Sequence, residues 1–430
     1  MRLLPAILVS LSFGCATTSP QVIAFRDASV LSMTSPQPLA HQTVIVRGRT
    51  IESVSDAAQT AIPAGATVVD CSGQTLMPGL ADAHAHLPGA EEPGPPMDEY
   101  LFLYLSRGVT TARAMRGDAQ QLALSRRIER GEVSGPSLIV GSPAIYEHMT
   151  AEEAAKRISQ YQRDGFAFIK YLGGTTAEEY DTLAFEAKKN GIRFMGHVPK
   201  EISIAHAIDS GQCDVEHLSP VIREYRKDPS SIEATIRMMA DHQIAHTPDV
   251  VWYLIQFHQR DLQQLESTKG LQYIRQSLKK QWRDSIAKGL AEPEAGAVRT
   301  KWQADIADYR KLLPQMNAAG VPLLVSATAG EFVVPGFSME DEMDVLAASG
   351  VPLYDVLRAA TRNAADSVGQ TDWGTIEPGK RADLLLLAKS PLEDIHNVGL
   401  VEGVMVRGAW MPKAEIDAKL AKLEKSAAVN

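Results

Sequence analysis

With 430 residues, 45% of them hydrophobic and 22% charged, the chain has the composition of an ordinary globular protein with length for a large core. Its 43 basic and 52 acidic residues leave a net charge of −9, which excludes the basic footprint of a nucleic-acid binder. Gly and Pro are scattered, so neither a low-complexity segment nor a repeat of fixed period organises the chain.

Residues 1–20 read as a targeting segment separate from the fold. Arg2 precedes an apolar run from Leu3 to Phe13, too short to span a bilayer and shaped like the core of a signal peptide. Gly14-Cys15-Ala16 resembles the end of a bacterial lipobox, in which Cys15 would carry lipid after cleavage. Ser12 and Leu11 depart from the usual pattern, so plain secretion with cleavage within Ala16–Ser19 stays open. Both routes predict an exported protein, periplasmic or an outer-membrane lipoprotein anchored through Cys15. Cys71 and Cys213 are far apart in sequence, and no disulfide is inferred for them.

From Val22 to Leu76 the pattern is one of short β-branched runs bounded by Gly, Pro, Asp and Ser, such as Thr43-Val-Ile-Val46 and Ala66-Thr-Val-Val69. That texture returns in Asp383-Leu-Leu-Leu-Leu387 and Gly403-Val-Met-Val-Arg-Gly408. Residues 21–77 and 375–412 therefore predict one small β-sandwich domain built from both chain ends. Ile416, Leu420 and Leu423 fall at helical spacing and predict a surface helix over residues 413–430.

Residues 78–374 begin with an apolar run ending in His84 and His86. Alternate side chains of a strand point the same way, so the two imidazoles can share one metal ion. Beyond them, strands and helices alternate. Val109–Arg113, Leu138–Gly141, Phe166–Lys170, Ile192–Gly196, Cys213–His217 and Pro322–Ser326 read as short buried strands. Thr150-x-x-Glu153 and Thr176-x-x-Glu179 are capping-box helix starts, with Gly165 and Gly191 at the expected stops. Repeated βα units predict an α/β fold with a parallel sheet, most economically a closed (β/α)₈ TIM barrel. An open doubly wound sheet is the alternative, weakened by the lack of a Gly-rich phosphate loop after the first strand.

Functional groups of such a barrel collect at the C-terminal strand ends. His84, His86, Lys170, His197 and His217 all fall there. Lys170 ends an apolar strand, where a charged ammonium is costly unless paired and burial lowers its pKa. A neutral amine can take up carbon dioxide to form an anionic carbamate able to bridge two cations; pairing with an acid such as Glu216 is the other reading.

These pieces together resemble the metal-dependent amidohydrolase superfamily, in its imidazolonepropionase-like and prolidase-type (Xaa-Pro dipeptidase) branch. The matching stretches are Met77-Pro-Gly-Leu-Ala-Asp-Ala-His-Ala-His86, Gly108-Val-Thr-Thr-Ala-Arg113, Phe168-Ile-Lys170, Gly196-His197, Val215-Glu-His217, Leu357–Ala365 and Gly374–Leu385. The resemblance implies zinc, one or two ions, with His84 and His86 on the more buried metal and His197 and His217 on the more exposed one. A carboxylated Lys170 would bridge them. It implies hydrolysis of amide or dipeptide C–N bonds in small molecules by a metal-activated hydroxide.

One departure bears on that activity. The superfamily places a proton-shuttling aspartate on the last barrel strand, and the corresponding residue of Ser326-Ala-Thr-Ala-Gly330 is Thr328. A threonine hydroxyl is too weak an acid or base to replace it, and general acid–base help is worth roughly 10²–10⁴-fold. Ala114 likewise stands where an aspartate is common. Glu331 or Asp249 could substitute; otherwise the chain is a catalytically impaired homologue acting as a lipid-anchored binding protein. His148, Arg223 and Tyr225 follow strand ends and are expected to contact substrate. The sequence leaves self-association into a homo-oligomer open.

Overall fold

The two β-rich ends of the chain meet in one eight-stranded sheet. Its order is Ala409–Pro412, Val401–Val406, Leu384–Leu387, Thr75–Pro78, Val22–Val30, Leu39–Arg47 and Thr50–Asp56, with Thr67–Asp70 pairing off this path against Val22–Val30. Antiparallel pairing of Leu384–Leu387 with Thr75–Pro78 stitches the distant ends together. Alternation along the strands gives this sheet a core of its own, including Phe25, Val44, Val46, Leu76, Leu384, Leu386 and Met405. The computed structural model describes residues 21–88 and 96–429. The expected leader, with Cys15, lies outside them.

The middle of the chain pairs differently. Leu80–Ala85, Val109–Ala114 and Ser137–Val140 form a parallel sheet. Ile145 then bridges Tyr171 of Phe168–Tyr171, which pairs in parallel with Arg193–Gly196. Phe194 bridges Gln212 just before Asp214–Glu216, which pairs with Ala245–Thr247, and His246 bridges Leu323. Two residues further on, Val325 accepts a 3.0 Å hydrogen bond from the Ala83 amide, back on the first strand of the series. Each of these pairings follows chain order and each pair is parallel, as strands joined by βα crossovers require.

Side-chain alternation sorts these strands into two faces. Ile169, Tyr171 and Phe194 join the main core with the helices, whereas Phe168 and Met195 join a separate cluster with Ala81, Ala83, Ile139, Ala245 and Leu324. Lys170 shares the parity of Phe168 and His197 that of Met195, so both belong to this second face. Thr150 and Thr176 each close a capping box at the head of the helices Ala151–Asp164 and Ala177–Lys189. Gly165 ends the first in the left-handed conformation, while the second stops one residue earlier than expected, at Asn190. Lys413–Val429 is a helix that buries Ile416 and Ala427. No described helix is long and apolar enough to cross a membrane.

Candidate metal centre

Four histidines and a lysine meet at the strand ends around one cavity of about 620 Å³. Its walls include His84, His86, Lys170, His197, His217, Arg116, Trp252, Tyr253 and Thr328. His84 lies at a register irregularity of its strand, between Asp82 and Ala85, the kind of local slip that re-aims a side chain. The Asp82 carboxylate accepts from the His84 amide at 3.0 Å and from the Tyr104 hydroxyl at 3.1 Å. His217 sits at φ +65°, between the strand Asp214–Glu216 and the helix Leu218–Lys227.

The imidazoles cluster tightly. Ring centroids are 5.1 Å apart for His84 and His86, and 4.8 Å apart both for His84 and His217 and for His197 and His217. Nε2 of His197 and Nε2 of His217 are 3.1 Å apart. Burial disfavours protonation of all four. It holds His84 well below the usual range, His86 at about 3, His197 at about 2 and His217 at about 4, so neutral, metal-ready imidazoles are present at physiological pH.

Acidic residues lie beneath them. The Lys170 ammonium contacts a Glu216 carboxylate oxygen, both side chains fully buried. Burial lowers the Lys170 pKa while Glu216 opposes the fall. Arg113 pairs with Asp214 at 2.8 Å and its guanidinium also donates to Ala83 O. Oδ2 of Asp249 is 2.9 Å from Nδ1 of His217 and 3.5 Å from Nδ1 of His84.

The donor set fits a cation. Nδ1 of His84, Nδ1 of His217, Oε1 of Glu216 and both oxygens of Asp249 are buried without a hydrogen-bond partner. A single unpaired buried polar atom costs about 1–3 kcal/mol, so several at one point call for a group that satisfies all of them. His84, Glu216 and His217 also present ligand atoms within 4.8 Å of one another, the spread of donors around one ion.

Comparison with known proteins agrees with this chemistry. The amidohydrolase family model matches residues 75–411. The chain belongs to the amidohydrolase family. An adenine deaminase of Rubrobacter xylanophilus is 32% identical over 72 residues, 17% of this chain and 12% of that relative's length. Among solved structures, the bottromycin amidohydrolase superimposes with a TM-score of 0.76 at 20% identity, over 95% of this chain and 91% of that one. A Xaa-Pro dipeptidase with bound methionine gives 0.70 at 17% identity, over 91% and 100%. The ochratoxinase of A. niger gives 0.66 at 19%, over 92% and 96%. At these identities the likeness is one of fold, an α/β fold shared with amidohydrolases.

The three residues expected to contact substrate do not line the cavity. His148 is 71% exposed and bound to Glu179 at 2.8 Å. Arg223 turns its guanidinium onto the carbonyls of Pro199 and Ile202, at 3.0 and 3.5 Å. Tyr225 packs against the main core. His148 lies in a loop, whereas Arg223 and Tyr225 lie within the helix Leu218–Lys227, and all three are held by partners away from the cavity. Arg116 and Trp252 line the cavity instead, neither visible from spacing. Next to this cavity and sharing His86, Ala329 and Gly330 with it is a second one of about 430 Å³, lined mainly by apolar groups such as Ile274, Leu278, Trp282 and Val333.

Thr328 lies at the cavity wall with φ +54°, its amide donating to Ser326 Oγ at 2.8 Å. Glu331, one of the two candidate replacement acids, is held by Gln256 and Ser285 at 2.8 and 2.7 Å and lines the second cavity. Asp249, the other, is inside the cluster. His246, outside the cavity lining, is fully buried between Val215 O at 2.7 Å and the Tyr309 hydroxyl at 2.5 Å.

Proposed function

We propose that the chain is a metal-dependent hydrolase that cleaves a C–N bond in a small amide or dipeptide, working after export. The parallel pairings that start at Leu80 and return to Ala83 support a closed (β/α)₈ barrel as its scaffold. The observation that carries the reading is the meeting of His84, His86, Lys170, His197 and His217 on one cavity with partnerless buried donors. Zinc suits four neutral imidazoles, and when bound such an ion polarises a carbonyl oxygen and lowers the pKa of water toward neutrality. His84, His86, His197 and His217 would hold it. A carboxylated Lys170 would add an anionic donor between two ions.

The rest of the site belongs to the chain itself. Trp252 and Tyr253 close one wall and limit water. The apolar side cavity gives a hydrophobic substituent of the substrate somewhere to sit. Arg116 makes no ion pair among the described residues and projects at the cavity rim, where a substrate carboxylate would be met by its guanidinium.

Membership of the amidohydrolase family supports C–N hydrolysis. Thr328 favours a second reading, a binding protein that keeps the site without turnover. One experiment separates them. Purified protein is loaded with zinc and assayed against Xaa-Pro dipeptides and N-acyl amino acids, before and after dipicolinate. Chelator-sensitive turnover of any member supports the hydrolase. Stoichiometric zinc without turnover of the panel supports the binder.

A further inference from the structure

Asp249 is the acid of this site that the sequence disguises. It follows the strand Ala245–Thr247 and stands at the head of the helix Val250–Gln256. An aspartate there ordinarily caps its helix by accepting from the exposed amides. Asp249 makes no such bond. The Glu342 carboxylate, from the distant helix Phe337–Ala348, takes those amides instead, Val250 N at 2.9 Å and Val251 N at 2.7 Å. Asp249 is thereby released from capping, held at φ +54°, and turned inward with its side chain fully buried.

What it faces is decisive. Oδ2 lies 2.9 Å from His217 Nδ1 and 3.5 Å from His84 Nδ1, yet none of the three atoms has a hydrogen-bond partner. Hydrogen-bonded atoms aim at each other; ligand atoms aim at a common point between them. Donors around a tetrahedral zinc, with bonds near ~2.0–2.1 Å, sit about 3.3 Å apart. The two separations bracket that value, and His84 Nδ1 to Glu216 Oε2 adds a third at 3.8 Å.

We propose that Asp249 is a carboxylate ligand of the cation held by His84 and His217, supplying from the strand Ala245–Thr247 the acid that Thr328 cannot supply. The inference rests on the metal-site reading above and adds a ligand to it.

The test is zinc affinity, measured by competition with a chromophoric chelator. Asp249→Asn should weaken the zinc Kd about 100-fold or more, exceeding the usual effect of losing a group that merely orients a ligand. The zinc-free variant should unfold at the same temperature as zinc-free wild type or higher, since an orphan buried carboxylate has been removed. Adding Thr328→Asp should recover affinity to within about tenfold of wild type, by returning a carboxylate to the cavity wall. That double variant keeps the question open to measurement should Asp249→Asn alone fold poorly. An Asp249→Asn Kd equal to wild type, or a double variant no better than the single one, overturns the proposal while leaving the metal site standing. A wild-type chain that takes up neither zinc nor manganese overturns both.

Discussion

Replacing Lys170 with methionine tests the buried charge arrangement at its centre. Lys170 and Glu216 are in contact and both are 0% exposed. Methionine keeps the apolar stem and removes the ammonium. The nearest remaining basic atoms to Glu216 are His84 Nδ1 at 3.8 Å and His197 Nε2 at 3.9 Å. Burial keeps both imidazoles neutral, so neither replaces the lost charge. Breaking a buried pair by removing one partner costs roughly 3–5 kcal/mol, because the survivor stays desolvated and alone. Lys170→Met should therefore lose about that much in urea unfolding of zinc-free protein at neutral pH. Lys170→Met with Glu216→Gln, which removes both charges, should regain a coupling of about 1–3 kcal/mol. A single variant within about 1 kcal/mol of wild type, or a double variant less stable than the single one, would refute the reasoning.

Two other outcomes are expected. His246 is buried against Val215 O and Tyr309, and burial holds its pKa at about 4. It is neutral in both folded and unfolded chains above its ordinary value near 6.5. Below that the unfolded chain takes up a proton that the folded one refuses, until about pH 4. Wild type should thus lose about 3 kcal/mol more than His246→Gln as pH falls from 7 to 4, read from paired urea titrations; parallel curves would count against it. Arg116→Ala should raise KM several-fold for substrates ending in a carboxylate and leave neutral amides unaffected, a binding effect with kcat largely retained; equal effects on both classes would remove Arg116 from recognition.

How much of this could be read in advance depended on how local the signal was. The capping boxes at Thr150 and Thr176 need only four residues each, and both are present. The strand-end histidines and Lys170 follow from side-chain alternation, which fixes which face a residue joins once the strand is recognised. Asp249 was visible only as an acid that could stand in for Thr328. It takes its place in the cluster because Glu342, far along the chain, satisfies the helix amides. His148 and Arg223 stand off the cavity for the same physical reason in reverse. A polar side chain is aimed by its partners, Glu179 for His148 in its loop and two carbonyls for Arg223 on its helix, and spacing does not encode partners.

Charge in the buried layer ties the chemical state of Lys170 to the number of ions. Asp82, Asp214, Glu216 and Asp249 are four buried acids facing the cluster, and Arg113 and Lys170 are two buried bases; Glu342, also buried, is pushed up to about 8 by burial and Asp249 and is left uncharged at neutral pH. With the histidines neutral and all four acids ionised, four negative against two positive charges leave −2, which one divalent cation cancels. If Lys170 takes up carbon dioxide, its +1 becomes −1 and the balance moves to −4, which requires two. Without a cation the same layer can approach neutrality only by protonating its acids, consistent with burial and neighbouring carboxylates pushing the Asp249 pKa well up. Metal uptake must therefore release protons, and the second ion must depend on carbon dioxide. Protein loaded with zinc in degassed, bicarbonate-free buffer should hold one equivalent per chain with unmodified Lys170. Added bicarbonate should raise this to two, with the carbamate carbon visible by ¹³C NMR. Two equivalents bound with no carbamate signal would break the link, and with it the assignment of these six groups as one electrostatic unit.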